Sequence, residues 1–407
     1  MRFRHPDGSR VHVAYCTNVH AAETLDGVIG QLRRFATPVR EALGVPLLGV
    51  GLWLAAPLAR ELREKPQELA RLRAALQEGG LEVVTVNGFP YRAFQAEVVK
   101  LAVYTPDWTT PERSQYTLDL AHLLAALLPD DVEEGSISTL PLGWREGWGS
   151  AQDAAARARL TEVADGLAAI ERDTGKTIRL ALEPEPGCAA ETTEQVLDAL
   201  AGLDKQRIGI CLDACHLAVQ FESPQRALEQ VAAAGAVIPK TQASVALRAR
   251  DADARAELER FVEPRFMHQT RELVSDETSG ESSGESTAGE GASGRGEGAR
   301  VLGVDDLPDA LRGGLPGEHE WRVHFHVPVQ LDEGRTTQPE LRALLAGLVG
   351  GDGPPRTRHI ELETYTWDVL PGELRAGDDN ALVDGLAREL RWLADELEAL
   401  GLTMEEA

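Results

Sequence analysis

The sequence predicts an α/β fold: a TIM barrel, with eight parallel strands each followed by a helix, and a long insertion after the seventh strand. Short β-branched or apolar runs alternate with long amphipathic stretches, which is typical of parallel βα units. The chain has 407 residues, 43% of them hydrophobic, and a barrel of about 250 residues with insertions fits that length. Polar and acidic residues directly follow several of the apolar runs, where a barrel carries its site.

Nine runs compete for the eight strand positions: 11–16, 47–54, 81–86, 136–140, 177–183, 207–213, 237–242, 321–327 and 359–364. We assign the first seven in order and 359–364 as the eighth, which leaves 321–327 as an extra strand near the mouth. The apolar periodicity between the runs predicts these helices: 22–43, 57–79, 111–129, 151–174, 192–202, 223–234, 337–349 and 380–400.

We predict one domain over residues 1–407. Within it, residues 275–299 are rich in Gly, Ser and Glu and have almost no apolar side chains. Such a segment cannot bury enough surface to offset the entropy lost on ordering, so we predict a disordered acidic insertion. It is either a tolerated loop expansion or a regulatory or partner-binding arm.

Charge and cysteine content exclude some classes of protein. Forty-one Lys and Arg against 66 Asp and Glu give a net charge of −25, which disfavours nucleic acid as a partner. The four cysteines form no CxxC pair and are expected to be reduced and buried. The first residues do not resemble a signal peptide, and no apolar run approaches the ~20 residues needed for a transmembrane segment. These features predict a soluble, cytoplasmic protein.

Acidic and histidine residues follow several strands. Glu183 ends the fifth run, with Glu185 two residues later, and Asp213 ends the sixth, with His216 one helical turn later. Glu363 ends the eighth run. The extra strand places two histidines on one face, His324 and His326. Each feature alone is weak evidence, but the carboxyl ends of barrel strands meet at one mouth.

A mixed set of carboxylate and imidazole donors suits Mn²⁺, Mg²⁺, Zn²⁺ or Co²⁺. We therefore predict a divalent metal cofactor with these ligands: Glu183, Asp213, His216, His326 and Glu363. Further polar residues near strand ends are candidates for substrate binding: Asn18, His20, Asn87, Gln242 and His324. The amide and hydroxyl groups near strand ends serve equally well as helix caps. The stretch 103–108 is either a lid over the pocket or an ordinary packed loop.

Eight stretches carry a family resemblance: 15–24, 87–91, 103–108, 135–144, 180–188, 212–219, 324–329 and 361–371. In them the chain resembles the sugar-isomerase-like TIM barrels, and closely resembles the bacterial "metabolite traffic protein EboE" family. The resemblance implies that Glu183, Asp213 and Glu363 are metal ligands with His216 nearby. Gln242 stands where epimerases of the wider superfamily usually carry a ligand histidine, so His326 or His324 would supply the missing nitrogen. Genes of the EboE family cluster with others linked to moving secondary-metabolite precursors.

Three functions follow as hypotheses. The first is a metal-dependent isomerase or epimerase of a sugar, sugar phosphate or polyol, in which Glu183 and Glu363 exchange a proton as base and acid. The second is a small-molecule phosphoesterase with two or three metal ions. The third is a non-catalytic metabolite binder working with proteins of the same metabolite-traffic cluster.

Overall fold

The structure is a computed structural model that describes residues 1–275 and 299–405. The predicted disordered insertion therefore lies outside the described residues, except at its two ends. Ser275 is the last residue of one strand and Ala299 the first of another.

The strands are, in chain order, β1 Arg2–Arg4, β2 Arg10–Cys16, β3 Leu48–Gly51, β4 Leu81–Glu82, β5 Thr85–Asn87, β6 Glu134–Thr139, β7 Thr177–Leu182, β8 Ile208–Asp213, β9 Lys240–Ala243, β10 Leu247–Ala249, β11 Thr270–Ser275, β12 Ala299–Val304, β13 Trp321–Val323, β14 His359–Leu362 and β15 Thr403–Met404. The α-helices are α1 Leu25–Gln31, α2 Thr37–Leu43, α3 Ala56–Glu64, α4 Pro66–Gly79, α5 Pro111–Leu127, α6 Ser150–Thr174, α7 Thr193–Ala199, α8 Ala214–Val219, α9 Pro224–Ala233, α10 Ala252–Glu257, α11 Leu307–Asp309, α12 Gln338–Val349 and α13 Asp379–Ala399.

The parallel strands close into a TIM barrel. The pairing runs β5–β6–β7–β8–β9–β14–β2–β3, and β4 pairs with β3. A bridge between Leu52 and Val86 joins the third strand position, shared by β4 and β5, to β3. Since β14 pairs in parallel with both β9 and β2, the assignment of 359–364 as the eighth strand is confirmed.

The insertion after the seventh strand builds a second sheet. Four antiparallel strands pair in the order β10–β13–β11–β12, all between β9 and α12 in the chain. The extra strand predicted at 321–327 belongs to this sheet and is shorter, at Trp321–Val323. The other three strands were not predicted. The consequence for the site is that His324 and His326 enter from outside the barrel.

Two predicted helices are interrupted. The stretch 57–79 splits into α3 and α4 at Pro66, because proline has no N–H for the preceding turn and favours the first turn of a new helix. The stretch 22–43 contains a π-helical turn at Leu32–Ala36 between α1 and α2. Among the helices of the described residues, none is long and apolar enough to cross a membrane.

The barrel interior is polar beneath its mouth. Lys240 and Glu361 form an ion pair whose two side chains are fully buried, and Gly51 provides the space for it. A Cβ atom on Gly51 would overlap the Glu361 carboxylate. The absence of a side chain at Gly51, the last residue of β3, therefore makes room for a charged pair in the core.

We predict that Gly51→Ala lowers the free energy of unfolding by about 1–3 kcal/mol, because the added methyl group forces the buried ion pair to move. Urea denaturation would measure it. Gly353→Ala is the matched control, since a Cβ there meets no atom within 4 Å. Equal effects of the two substitutions would show that Glu361 does not depend on this space.

Candidate metal centre

Three carboxylates meet at the mouth of the barrel. Glu183 directly follows β7, Asp213 is the last residue of β8, and Glu363 directly follows β14. One oxygen of each lies within 4.8 Å of the others, and all three side chains are buried. The parallel strands deliver these acids to one point because their carboxyl ends share one end of the barrel.

Burial and mutual repulsion make this group costly without a cation. Burial, followed by neighbouring carboxylates, raises the pKa of Glu183 and that of Glu363 well above the usual range, while the positive charge of Lys240 acts in the opposite direction. Glu183 Oε2 and Asp213 Oδ2 are buried without a hydrogen-bond partner. Buried carboxylates are normally paired or bound to metal, so these oxygens fit a cation.

Two amides orient Glu363. Its Oε1 accepts hydrogen bonds from Asn18 Nδ2 at 2.7 Å and from Asn87 Nδ2 at 2.8 Å. Asn87 is fixed in turn, because its Oδ1 accepts the Phe89 N–H at 3.0 Å. The two asparagines predicted to bind substrate thus hold a candidate metal ligand in place, as outer-shell partners do in metal sites.

Three imidazoles stand beside the carboxylates with their Nε2 atoms together. His216 Nε2 lies 3.0 Å from His324 Nε2 and 3.4 Å from His326 Nε2. The Nδ1 atoms of His216, His324 and His326 contact, in that order, the Pro184 carbonyl at 2.8 Å, Gln269 Oε1 at 2.8 Å and the Glu363 carbonyl at 2.9 Å.

These Nδ1 contacts fix the protonation of the rings. Each Nδ1 faces an oxygen acceptor and must donate, so each neutral ring carries its lone pair on Nε2. Burial lowers the pKa of all three imidazoles, that of His216 to about 4. The three Nε2 atoms therefore face one another with no proton between them. A metal ion would relieve that repulsion, and carbonyl-oriented imidazoles are typical of metal ligands.

The donors form overlapping sets of three: Glu183, Asp213 and Glu363; Asp213, His216 and His326; Glu185, His216 and His324; Cys215, His324 and His326. All five predicted metal ligands belong to these sets. His324, predicted to bind substrate, is also among them. All members of these sets except Cys215 are oxygen or nitrogen donors, which fit a divalent ion.

Glu185 belongs to the donor sets but was not among the predicted ligands. It is buried, its pKa is raised to about 8 by that burial, and it accepts a hydrogen bond from the Tyr104 hydroxyl at 2.8 Å. Its position two residues after Glu183 was the only sequence signal, and a Pro-Gly turn follows it.

Of two further residues predicted to bind substrate, Gln242 lies beside the carboxylates on the neighbouring strands, and His20 does not. Gln242 lies on β9 in register with Asp213 and Glu361, and both of its buried amide atoms lack a partner. The structure does not bring His20 to the metal donors, because its ring stacks on Phe35 at 4.5 Å and its Nε2 contacts the Tyr15 hydroxyl at 3.2 Å.

The mouth encloses a cavity of about 50 Å³, which is room for roughly four water molecules. Aromatic residues cover it: Phe89, Phe94, Tyr104, Phe266 and Tyr365. Lys100 is the only lysine or arginine in this lining. Its backbone has a φ of 41°, and its Nζ lies 2.6 Å from Asp306 Oδ2. Sequence reasoning missed Lys100.

A buried arginine, Arg113, lies at the base of the loop that carries three of these aromatic residues, Phe89, Phe94 and Tyr104. We define residues 88–106 as the mouth loop. Arg113 Nη1 donates to the Gly88 carbonyl at 2.9 Å and to the Phe89 carbonyl at 3.0 Å, while its Nε donates to the Pro106 carbonyl at 2.9 Å. One side chain thereby joins the two ends of the mouth loop. Tyr104 lines the cavity; it belongs to the stretch 103–108, for which the sequence left open a lid or an ordinary packed loop.

The chain belongs to the xylose isomerase-like TIM barrel family, whose model matches residues 41–258. No curated protein sequence matches it.

Among solved structures, a xylose isomerase-like TIM barrel protein from Mycobacterium smegmatis in complex with magnesium is 14% identical, with a TM-score of 0.50 over 95% of this chain and 98% of that one. D-psicose 3-epimerase from Clostridium cellulolyticum H10, solved with D-tagatose, is 15% identical, with a TM-score of 0.48 over 95% and 99%. An L-ribulose 3-epimerase is 13% identical, with a TM-score of 0.47 over 96% and 95%. The match to the Mycobacterium protein shows a shared fold.

We predict that Glu183→Gln raises the melting temperature of metal-free protein by about 2–4 °C, since it removes one of three repelling buried acids. The same change should weaken the binding of a divalent metal ion and reduce the metal-induced rise in melting temperature by at least half. Differential scanning calorimetry with EDTA and then with Mn²⁺ would measure both effects.

Glu229→Gln, at an exposed position on α9, is the control and should change neither value. A Glu183→Gln protein that melts lower without metal, yet gains as much from Mn²⁺ as the native chain, would contradict the metal assignment.

Proposed function

We propose that the protein is a divalent-metal-dependent isomerase or epimerase acting on a sugar, sugar phosphate or related polyol. The observation that supports it most is the pair of buried carboxylates, Glu183 and Glu363, which share one donor set with Asp213 and line one cavity. Two acids beside one ion are suited to moving a proton between adjacent carbons of a bound carbonyl compound.

Glu183, Asp213 and Glu363 would hold the ion, with His326 beside Asp213. A divalent ion in this place supplies Lewis acidity that polarises a carbonyl oxygen and makes the neighbouring C–H more acidic. Mn²⁺, Mg²⁺, Zn²⁺ and Co²⁺ all accept such oxygen and nitrogen ligands.

Glu183 and Glu363 would divide the proton transfer. Glu183 Oε2 has no hydrogen-bond partner, so it is free to take a proton from the substrate carbon. Glu363 is held through Oε1 by its two asparagines, which leaves Oε2 to return a proton on the other side. Burial and neighbouring carboxylates raise the pKa of both acids well above the usual range, which makes each carboxylate a stronger base than an exposed glutamate.

The mouth loop would control access. The cavity of about 50 Å³ is too small for a sugar, so a substrate has to displace the aromatic cover. Phe94 packs on Phe266 at 5.3 Å and on Tyr365 at 5.1 Å. Closure of this cluster over a bound substrate would exclude water from the proton transfer.

We extend the proposal to the biological setting. The chain resembles the metabolite traffic protein EboE family in several motifs. This resemblance suggests a secondary-metabolite precursor as the substrate, and proteins of the same metabolite-traffic cluster as partners. The four cysteines are buried and free, which is in keeping with the proposed cytoplasmic location.

The test is proton exchange with solvent. Mn²⁺-loaded protein in D₂O, given D-fructose, D-tagatose, D-psicose and their phosphate esters, should incorporate deuterium at a carbon next to the carbonyl in at least one of them, as followed by NMR. Glu183→Gln and Glu363→Gln should each slow that exchange by about 10²–10⁴-fold, and Glu229→Gln should not. Exchange that survives both mouth substitutions, or is absent with every ketose, would contradict the proposal.

Hydrolysis of a small phosphate ester is the second candidate, and the set of Glu185, His216 and His324 favours it because it offers a second metal position. Two ions about 3.5–4 Å apart are typical of phosphoesterases. Elemental analysis should then find at least two ions per chain and one fewer in His324→Gln, with loss of 4-nitrophenyl phosphate hydrolysis. A single ion per chain, unchanged in His324→Gln, would exclude it.

A further inference from the structure

A separate cavity opens at the opposite end of the barrel. Its volume is about 510 Å³. The first residues of β6 and β14, Glu134 and His359, line it together with Pro239, which directly precedes β9. Since the metal donors lie where these strands end, this cavity is at the amino end of the strands, a barrel length away from the mouth.

The charge of this cavity is opposite to that of the chain. Three arginines line it, Arg179, Arg356 and Arg358, against one acid, Glu134. The protein as a whole has a net charge of −25, so three guanidinium groups on one concave surface are a local reversal. A basic concave surface attracts and concentrates anions.

The three guanidinium groups differ in how far they are engaged. Arg179 contacts Glu134 at 3.0 Å and donates to the Gln206 carbonyl at 2.9 Å. Arg356 donates to the Leu228 carbonyl at 3.2 Å. Arg358 is exposed, and its side chain has no partner in the part of the chain that the structure describes. Hydrogen bonds to backbone carbonyls therefore give Arg179 and Arg356 a structural role, whereas Arg358 has no such role.

A buried histidine contributes a hydrogen-bond acceptor. His359 is 4% exposed, and its Nδ1 lies 2.8 Å from Ser136 Oγ. The Ser136 hydroxyl donates to Thr85 Oγ1 at 2.9 Å, so His359 Nδ1 has to donate and its Nε2 carries the lone pair. That nitrogen has no partner within residues 1–275 and 299–405. Burial keeps the ring neutral by lowering its pKa well below the usual range.

One wall of the cavity is apolar. Leu228 and Val231 of α9 line it, with Ile238 and Pro239 beside them. A hydrated inorganic ion would leave this wall unused, whereas an organic group would cover it and remove apolar surface from water. The lining thus combines cations, an acceptor and an apolar wall, the mixture typical of sites for small organic ligands.

We propose that this cavity is a second binding site, independent of the metal centre, for a small organic anion: a phosphate or carboxylate attached to an apolar body. Arg358 and Arg356 bind the anionic group, and the α9 wall takes the apolar body.

The test uses isothermal titration calorimetry on the full chain in low salt with EDTA, so that metal at the mouth does not contribute. The probes are phenyl phosphate, benzoate, inorganic phosphate and phenol. We expect phenyl phosphate or benzoate to bind at least tenfold more tightly than inorganic phosphate and phenol, and the tighter of the two identifies the anionic group.

Arg358→Gln should weaken that binding about tenfold, because a charge-assisted hydrogen bond is lost. Because Arg358 is exposed and its side chain has no partner within the described residues, this substitution should not lower the free energy of unfolding appreciably. Arg33→Gln, at an exposed arginine paired with Glu78, is the matched control, and Glu183→Gln reports on the mouth. Neither should change the affinity.

No binding of any probe, equal binding by Arg358→Gln protein, or loss of binding in Glu183→Gln would overturn the proposal. A change of oligomeric state in Arg358→Gln without a change in probe affinity, seen by analytical ultracentrifugation, would also overturn it, since a second copy of the chain would then be the occupant.

Discussion

Buried carboxylates and imidazoles whose donor atoms face one another are the constraint on which this molecule depends. Glu183, Asp213 and Glu363 converge within 4.8 Å, and three imidazole Nε2 atoms lie next to them. Each Nδ1 donates a hydrogen bond to an oxygen, so the proton of each neutral ring is on Nδ1. The Nε2 atoms therefore carry no proton that could form a hydrogen bond between the rings. Such a group of buried donors is unfavourable for folding by itself, and a bound divalent ion would make it favourable.

The fold meets this constraint with two separate pieces of chain. The carboxyl ends of barrel strands supply the carboxylates, and the segment that follows β13 of the inserted sheet supplies His324 and His326. Lys240, paired with Glu361 below the mouth, offsets part of the negative charge without entering the donor sets. Arg113 joins the ends of the mouth loop. Two buried cations, Lys240 and Arg113, therefore support the mouth from within the core.

The sequence predicted the barrel and the acids that follow its strands, because the carboxyl ends of parallel strands lie at the same end of a barrel. It did not predict that Glu185 is among the candidate metal donors, because its neighbours Tyr104 and His216 come from distant elements. His20 follows a strand just as Asn18 does, yet its ring turns onto Phe35, and no local pattern distinguishes the two. Tertiary packing decides such cases.

Histidine tautomers give the most direct test of the central claim. Long-range ¹H–¹⁵N NMR on histidine-labelled protein should show His216, His324 and His326 as Nδ1–H tautomers at neutral pH without metal. Zn²⁺ should then shift the Nε2 resonance of at least two of these rings while their Nδ1–H stays in place. Nε2–H tautomers that ignore Zn²⁺ would contradict the account, because the rings would then be bonded to one another and would not be metal donors.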